Sequence, residues 1–179
     1  MLNAEQIVEK KLLKLEQSKG KAAQVGYDLS LKEVNRIGIL NLESAPNIVI
    51  QQKVGKVLKD KTEITTYTPM KTIMLDEVKG WLLYEGVYDI TFWEGCKIPS
   101  DLVGLIRQRS SMLRNGTVLH SSVFDPGFET EFMGTVMVVN APIFIEENAR
   151  VAQIYFHECE EVGKENLYNG QFQQDKQRK

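Results

Sequence analysis

Residues 105–140 read LIRQRSSMLRNGTVLHSSVFDPGFETEFMGTVMVVN, and this stretch decides the fold class. Two β-rich runs lie at its ends and two turn-forming pairs interrupt it: Leu102–Ile106, Gly134–Val139, Asn115-Gly116 and Pro126-Gly127. Such pairs favour tight turns, because glycine adopts backbone conformations that other residues avoid and proline fixes its own φ angle. Short apolar runs separated by tight turns are typical of β structure.

The same pattern continues through most of the chain. Further β-rich runs are Ile37–Leu40, Ile48–Ile50, Ile64–Tyr67, Ile73–Leu75, Tyr88–Trp93, Ile143–Ile145 and Val151–Phe156. Many short strands at this spacing predict an all-β fold, which is a sandwich, a barrel or a jelly roll. No internal repeat and no linker divides the sequence, so we expect a single domain over residues 1–179.

The first residues are predicted to form a helix. Asn3 suits the N-cap position, and Gln6 stands three residues later, as in a capping box. Apolar residues then recur at helical spacing, and a glycine ends the pattern: Val8, Leu12, Leu15 and Gly20. We therefore expect a short N-terminal helix that forms a leader over residues 1–20.

The composition excludes several classes of protein. The chain of 179 residues is 42% hydrophobic and 26% charged, and its formal net charge of −2 lacks the basic field of a nucleic-acid-binding protein. No stretch approaches the roughly 18 consecutive apolar residues of a membrane span, and the charged N-terminus does not resemble a secretory signal. The only cysteines, Cys96 and Cys159, lack metal-ligand spacing, which favours a reducing cytoplasm over a disulfide or zinc site.

Arginines and serines follow the Leu102–Ile106 run directly. They are Arg107, Arg109, Ser110, Ser111 and Arg114. Guanidinium groups are rigid, permanently charged donors and hydroxyl groups add short donors, so this set suits phosphate oxygens. The residue types alone leave a second interpretation open, namely a turn whose arginines pair with surface carboxylates.

Two aspartates are candidates for chemistry. Asp125 lies in the sequence Phe-Asp-Pro-Gly-Phe, where it can act as a general base or simply form the turn. Asp28 lies in a strand-like apolar run, where a buried carboxylate needs partners; a ligand, a metal-bound water and the backbone are all open. His120 and His157 show no metal-ligand spacing, and we interpret both as structural or exposed.

Five segments together resemble the motifs of the dUTPase/dCTP deaminase superfamily. In chain order they are the Gly-x-Asp-Leu setting of Asp28, Arg109–Arg114 with Asn115-Gly116, Val123–Phe128 followed by Gly134, Ala149–Gln153, and Tyr168–Gln173. The segments occur in the family's order and extend from Ala22 to Gln174, which is nearly the whole chain. The resemblance is greatest to archaeal and viral dUTPases that have a deaminase-like framework.

The resemblance implies a distorted β-barrel or jelly roll of the dUTPase type that assembles as a homotrimer, with active sites between subunits. It implies a dUTP pyrophosphatase, which converts dUTP and water to dUMP and pyrophosphate and so lowers dUTP and supplies dUMP for dTTP synthesis. Mg²⁺ would be bound to the triphosphate, with Asp28 holding it through water or orienting the site. The resemblance implies no nucleic-acid or membrane partner.

The same resemblance implies roles for the residues around the phosphates. Asp125 would bind the sugar 3′-hydroxyl or activate the attacking water. Ser110 and Ser111 would donate to phosphate oxygens, and Arg109 or Arg114 would offset the charge of the triphosphate.

Other residues would enclose the nucleotide. Phe128 would pack on the deoxyribose and leave no room for a 2′-hydroxyl, and Gln153 would contact phosphate or brace a neighbouring subunit. Residues 163–179 would form an arm, carrying Tyr168 and Phe172, that closes over the active site.

Two other functions stay open. In the deaminase branch of the superfamily, a water-activating glutamate lies on the strand after the hairpin, whereas here Gly134–Asn140 contains no acidic residue. This difference argues against a dCTP deaminase or a related enzyme for modified pyrimidine nucleotides. The remaining alternative is a non-catalytic module that senses a nucleotide and docks on a protein partner.

Overall fold

A computed structural model of the protein describes residues 1–39, 65–170 and 173. Its helices and strands, in chain order, are α1 (Ala4–Glu9), β1 (Leu13–Lys14), β2 (Lys21–Ala22), β3 (Tyr27–Ile39), β4 (Thr65–Pro69), β5 (Ile73–Leu75), β6 (Val78–Leu83), β7 (Gly86–Phe92), β8 (Gly95–Lys97), β9 (Leu102–Gln108), α2 (Ser110–Arg114), β10 (Thr117–His120), β11 (Glu129–Thr130), β12 (Gly134–Val139), β13 (Ile143–Glu146) and β14 (Arg150–Glu158). A short 3₁₀ turn follows at Lys164–Asn166. The prediction of a mainly all-β fold is confirmed.

The strands form one large sheet and two small ones. In the large sheet β10, β12, β7, β3, β14 and β9 lie side by side in that order, and β2 and β4 also pair with β3. The small sheets have the orders β1-β8-β11 and β13-β6-β5. Within the part of the chain that the structure describes, every strand pairing is antiparallel. On β12, alternate residues face the core, namely Thr135, Met137 and Val139.

A side chain joins the two outermost strands of the large sheet, β9 and β10. Gln108 Nε2 donates to the carbonyl oxygen of Thr117 at 2.9 Å, and Gln108 Oε1 accepts from the N–H of Leu119 at 2.6 Å. The carboxamide thus replaces one backbone unit of a β ladder. This bridge brings the edges of the sheet together into a nearly closed barrel, whose core includes Tyr88, Phe92 and Phe156.

The N-terminal helix is shorter than predicted. The capping box is confirmed, because Asn3 and Gln6 exchange backbone-to-side-chain hydrogen bonds of 2.9 Å in both directions. The helix nevertheless ends at Glu9, so the helical leader expected over residues 1–20 is corrected to a six-residue helix.

The reason lies in the residues that follow the helix. Lys11 has a φ angle of 51°, in the left-handed region, which ends the helical path. Leu12 and Leu13 then turn into the core, and β1 pairs with β8, while Val8 is 51% exposed. The apolar spacing suggests one long helix, but the segment forms a short helix that is followed by a short strand.

A buried carboxylate holds the leader against the barrel. Glu94 accepts hydrogen bonds from the hydroxyl of Ser18, the N–H of Gly20 (3.0 Å), and the N–H (2.9 Å) and hydroxyl (2.7 Å) of Ser30. Each donor partly compensates the cost of burying the charge. The interaction fixes the leader beside the strand that carries Asp28.

Most predicted β-rich runs coincide with strands. The runs at Tyr88–Trp93, Gly134–Val139 and Val151–Phe156 fall on β7, β12 and β14. The run Ile48–Ile50 lies outside the described residues, as do Leu40 and Ile64 at the ends of two others. None of the described helices has the length and apolar character needed to cross a membrane.

Candidate active site

A cavity of about 550 Å³ brings together three of the residues predicted from the sequence. Asp125, Phe128 and Tyr168 all line it. Its remaining walls come from residues 120–124, Thr130 and residues 132–136, together with Tyr67 of β4 and Asp89 of β7. The volume lies within the range of small-molecule sites.

The backbone around Asp125 is fixed by two neighbouring segments. Phe124 exchanges two 2.9 Å backbone hydrogen bonds with Gly104 of β9, and a Cβ atom at Gly104 would lie only 3.2 Å from that of Phe124. Asp125 then begins a β-turn, since its carbonyl accepts from the N–H of Phe128 at 3.0 Å and Gly127 has the positive φ angle of 88° that such a turn requires. Asp125 forms the turn and also presents an exposed carboxylate at the cavity.

Aromatic rings form one wall of the cavity. Phe128 packs against Phe124, with ring centroids 5.4 Å apart, and against Tyr168 edge-to-face at 5.3 Å. Phe128 is therefore held on both sides and presents a rigid apolar surface. Such a surface suits the apolar face of a sugar or a base.

The C-terminal arm packs on the hairpin of its own chain. The N–H of Tyr168 donates to the carbonyl of Pro126 at 2.8 Å. Gln173 Nε2 donates to the carbonyl of Gly127 at 2.9 Å, and its Oε1 accepts from the N–H of Glu129 at 3.1 Å. The arm thus contacts the backbone on both sides of Phe128. Phe172, also predicted to act in the arm, lies outside the described residues.

Ion pairs support the strand to which the arm binds. Glu129 pairs with Lys14 at 2.9 Å and with Lys97 at 3.4 Å, and Lys14 also contacts Glu131 at 2.5 Å. The hydrogen bond from Lys14 lowers the pKa of the Glu129 carboxyl, more than burial raises it. Burial alone would lower the pKa of Lys14, but hydrogen bonds to Glu131 and Glu129 raise it overall.

A second cluster of predicted residues lies on another face of the barrel. Asp28 is 8% exposed, and its Oδ2 lies 3.6 Å from Arg109 Nε and 3.4 Å from Arg150 Nη1. Arg109 Nη1 also donates to the carbonyl oxygen of Arg150 at 3.2 Å. The sequence predicts that Asp28 needs partners, and these two arginines are the ones that the structure supplies.

The other predicted phosphate-binding residues lie near this cluster. Ser110, Ser111 and Arg114 are on the short helix α2, directly after Arg109, and all three are exposed. Gln153 lies opposite Asp28 in the β3–β14 register, and its Nε2 donates to the carbonyl of Val25 at 2.7 Å. In this structure Gln153 thus braces its own chain.

The two groups of residues do not meet within one chain. Phe124, next to Asp125, is bridged to Gly104, whereas Arg109 follows the far end of β9. Arg109 lies five residue steps along the extended chain from Gly104, which corresponds to about 16 Å. One chain therefore holds an aromatic cavity and an arginine–serine cluster at separate places.

The surroundings of Asp28 do not fit a resident metal ion. Two guanidinium groups lie within 4 Å of its carboxylate and would repel a dication. Across residues 1–39, 65–170 and 173, no group of three or more His, Cys, Asp or Glu side chains could hold a metal. The residues around Asp28 therefore do not provide the carboxylate-rich ligand set that a protein-bound Mg²⁺ needs.

Sequence reasoning missed three residues near these places. Arg150 completes the Asp28 cluster, Gln173 holds the arm, and His120 lines the cavity. Arg150 and Gln173 lie in two of the five segments that resemble family motifs, and this position is the sequence feature that could have identified them. Nothing local in the sequence shows that their side chains reach Asp28 or Gly127.

Comparison with known proteins agrees with this architecture. A model of the dCTP deaminase-like family matches residues 3–159. The dCTP deaminase of Agrobacterium tumefaciens superposes with a TM-score of 0.56 at 16% identity, over 87% of this chain and 46% of that one, which shows a shared fold.

Two archaeal relatives are more similar in sequence. A Methanocaldococcus jannaschii protein named deoxyuridine 5′-triphosphate nucleotidohydrolase is 42% identical over 90 residues, which are 49% of this chain and 57% of that protein. A Methanosarcina mazei protein named as a probable enzyme of the same kind is 28% identical over 155 residues, or 84% of this chain and 79% of that protein. From the family match over most of its length, this chain belongs to the dCTP deaminase-like family.

Proposed function

We propose that this protein is a dUTP pyrophosphatase, which hydrolyses dUTP to dUMP and pyrophosphate. The observation that carries the proposal is the cavity in which Asp125 lies beside the stacked Phe128 and Tyr168. An exposed carboxylate next to a rigid apolar wall suits a deoxynucleoside, whose sugar has one hydroxyl and an apolar face. The names of the archaeal relatives support the same substrate.

The triphosphate would bind at the arginine–serine cluster. Because about 16 Å of β9 separates this cluster from the cavity within one chain, we propose that two copies of the chain complete each active site, in a homotrimer. The cavity of one copy would then hold the nucleoside, and the cluster of its neighbour would hold the phosphates.

The reaction needs an activated water and charge stabilisation. Water attacks the α-phosphorus, a new P–O bond forms, and the bond from the α-phosphorus to the bridging oxygen breaks to release pyrophosphate. Asp125 would accept the proton of the attacking water or bind the 3′-hydroxyl. Arg109, Ser110 and Ser111 would stabilise the charge that develops on the phosphate oxygens. The substrate is taken to be the Mg²⁺ complex of dUTP.

The second candidate is a dCTP deaminase, because the family whose model matches this chain is described as dCTP deaminase-like. Deamination at C4 of the pyrimidine needs a group that moves protons beside that atom. The strand that would supply it by resemblance is β12, whose Met137 is fully buried and has no ionisable group. This observation favours pyrophosphatase activity.

One assay separates the candidates. The purified protein is incubated with Mg²⁺ and either dUTP or dCTP, and pyrophosphate and ammonia are measured separately, with Asp125→Asn as the inactive control. We expect pyrophosphate from dUTP and no ammonia from dCTP. Ammonia from dCTP would identify a deaminase, and nucleotide binding without either product would identify a sensing module.

A further inference from the structure

Phe132 lines the cavity but belongs to a different cluster of side chains from Phe128. Phe128 packs against Phe124 and Tyr168. The ring of the half-buried Phe132 instead packs edge-to-face on Trp93, with ring centroids 6.4 Å apart. The cavity therefore has aromatic surface at two places, and the proposed function uses only the place at Phe128.

The ammonium group of Lys32 lies over the ring of Phe132. The Nζ atom of Lys32 is 4.3 Å from the ring centroid of Phe132 and 5.3 Å from that of Trp93. A cation within about 6 Å of a ring centroid is attracted to the face of the ring, and more strongly where water is excluded. The side chain of Lys32 is only 17% exposed. The ammonium therefore covers one face of Phe132 and restricts the orientation of its ring.

A β-bulge brings Lys32 to this position. The pairing of β3 with β7 shifts its register between Leu31 and Glu33, so that Lys32 is the extra residue on β3. Bulges redirect a side chain and are frequent next to functional sites. The carboxylate of Glu33, whose side chain is 55% exposed, also contacts the ammonium. The irregularity in β3 thus places a cation, with its counter-ion, on two aromatic rings.

Hydrogen bonds fix the other members of this cluster. Trp93 Nε1 donates to Asn148 Oδ1 at 2.8 Å, and the N–H of Trp93 donates to the carbonyl of Ser30 at 3.0 Å. The hydroxyl of Thr130 donates to the carbonyl oxygen of Phe132 at 3.0 Å. Phe132 is therefore held through its backbone and its ring before a ligand binds, so that binding costs little side-chain freedom.

We infer that Phe132 is a base-binding residue, which contacts the base of the bound nucleotide, and that Lys32 is a positioning residue that holds its ring. This inference rests on the proposed function, in which Phe128 contacts the sugar. A base has a flat π-face on which an aromatic side chain packs favourably. Since the ammonium occupies one face of the ring, Phe132 meets the base through its edge or its other face.

The test compares dUMP with 2-deoxyribose 5-phosphate, which lacks the base. Neither probe contains the bond that the proposed reaction breaks. Affinities are measured by calorimetry for the wild-type protein, Phe132→Leu, Phe132→Tyr, Lys32→Met and Lys32→Arg. The matched control is Lys79→Met, because Lys79 also pairs with one glutamate, Glu147 at 3.0 Å, but does not line the cavity. A thermal unfolding curve for each variant verifies that it is folded.

We expect Phe132→Leu to weaken dUMP binding roughly tenfold and to change the affinity for 2-deoxyribose 5-phosphate by less than about twofold. Phe132→Tyr keeps the ring and should bind dUMP nearly as the wild-type protein does. Lys32→Met should weaken dUMP binding about threefold, and Lys32→Arg should weaken it less because the cation is kept. Lys79→Met should change neither affinity by more than about twofold.

Three results would overturn the inference. They are unchanged dUMP affinity in folded Phe132→Leu, an equal loss of affinity for both probes in that variant, and a wild-type protein that binds dUMP no more tightly than 2-deoxyribose 5-phosphate. Unchanged dUMP affinity in folded Lys32→Met would refute the positioning role of Lys32.

The fluorescence of Trp93 gives a second readout. The sequence contains two tryptophans, so Trp81→Phe leaves Trp93 as the only one. Because Trp93 packs on Phe132, dUMP should change its emission and 2-deoxyribose 5-phosphate should not. In the additional presence of Lys32→Met, the change at saturating dUMP should become smaller, since the ring is no longer held. An emission that dUMP leaves unchanged would place the base elsewhere and contradict the inference.

These outcomes can be separated from the proposed function. If the wild-type protein releases no pyrophosphate from dUTP but loses dUMP affinity in Phe132→Leu, the base contact stands and the pyrophosphatase proposal fails. If dUTP is hydrolysed and folded Phe132→Leu binds dUMP normally, the base contact alone fails.

Discussion

Replacing Gln173 by alanine tests whether the arm holds the wall of the nucleotide cavity in place. In the structure the carboxamide of Gln173 bonds to the backbone of Gly127 at 2.9 Å and of Glu129 at 3.1 Å, which are the groups on either side of Phe128. The substitution removes both bonds and leaves the rings of the wall intact. The change therefore acts on the position of the arm and not on the chemistry of the cavity.

The size of the effect follows from these two bonds. A neutral hydrogen bond contributes about 0.5–1.5 kcal/mol, so two contribute about 2 kcal/mol. Water can reach the half-buried Gly127 and Glu129 once the arm leaves, so no penalty for an unpaired buried group is added. At about 1.4 kcal/mol for each factor of ten, the docking equilibrium of the arm should fall about thirtyfold.

Two assays measure this effect. The KM for dUTP should rise by up to about thirtyfold, with a smaller fall in kcat, because an undocked arm has to be ordered when the nucleotide binds. Trypsin should cleave faster after the exposed Lys164, at the start of the arm. Gln173→Glu should have an intermediate effect, since a carboxylate accepts from Glu129 but cannot donate to Gly127. Asn169→Ala, at an exposed position of the same arm, is the control. Unchanged KM and unchanged cleavage in folded Gln173→Ala would refute the reasoning.

Three further predictions concern the site and its support. Asp125→Asn should lower kcat for dUTP by roughly 10²–10⁴-fold with little change in thermal midpoint; retention of most turnover would exclude Asp125 as the base. Phe128→Ala should reduce the preference for dUTP over UTP, measured as the ratio of kcat/KM values, and an unchanged ratio would remove Phe128 from sugar selection. Glu129→Gln should destabilise the protein at neutral pH but not in strong acid, as followed by denaturant unfolding against pH. The hydrogen bond from Lys14 lowers the folded-state pKa of Glu129, so its stabilisation is present above the unfolded value of 4.5 and is lost as the pH falls through the lower folded value. An equal destabilisation at all pH values would contradict this.

The sequence predicts the fold class well and the connections between distant residues poorly. Runs such as Tyr88–Trp93 and Val151–Phe156 are strands because their apolar and β-branched residues fit a pleated sheet in almost any context. The strands at Val78–Leu83 and Thr117–His120 are missed because glycine, lysine and polar residues dilute their pattern. The leader is misread because Leu12 and Leu13 enter a core built by residues far along the chain.

The same distinction applies to the candidate site. The turn at Asp125 and the partnered state of Asp28 follow from local residue types, and the structure bears out both. The identity of the partner does not follow, because Arg150 is 122 residues from Asp28 and meets it only through the β3–β14 pairing and its bulge. The packing of Tyr168 on Phe128 is likewise a tertiary contact between segments that the sequence places far apart.

The carboxamide of Gln108 gives the barrel a place to open. Every other junction along the large sheet is a ladder of backbone bonds, within the residues placed by the structure, whereas β9 and β10 are joined by one side chain. A rotation of the Gln108 side chain would separate β10 from β9 without breaking any backbone pairing between strands. His120, at the end of β10, lines the nucleotide cavity. We therefore expect the width of the cavity to depend on the rotamer of Gln108, and faster amide exchange at Leu119 in Gln108→Ala would report the opening of this edge.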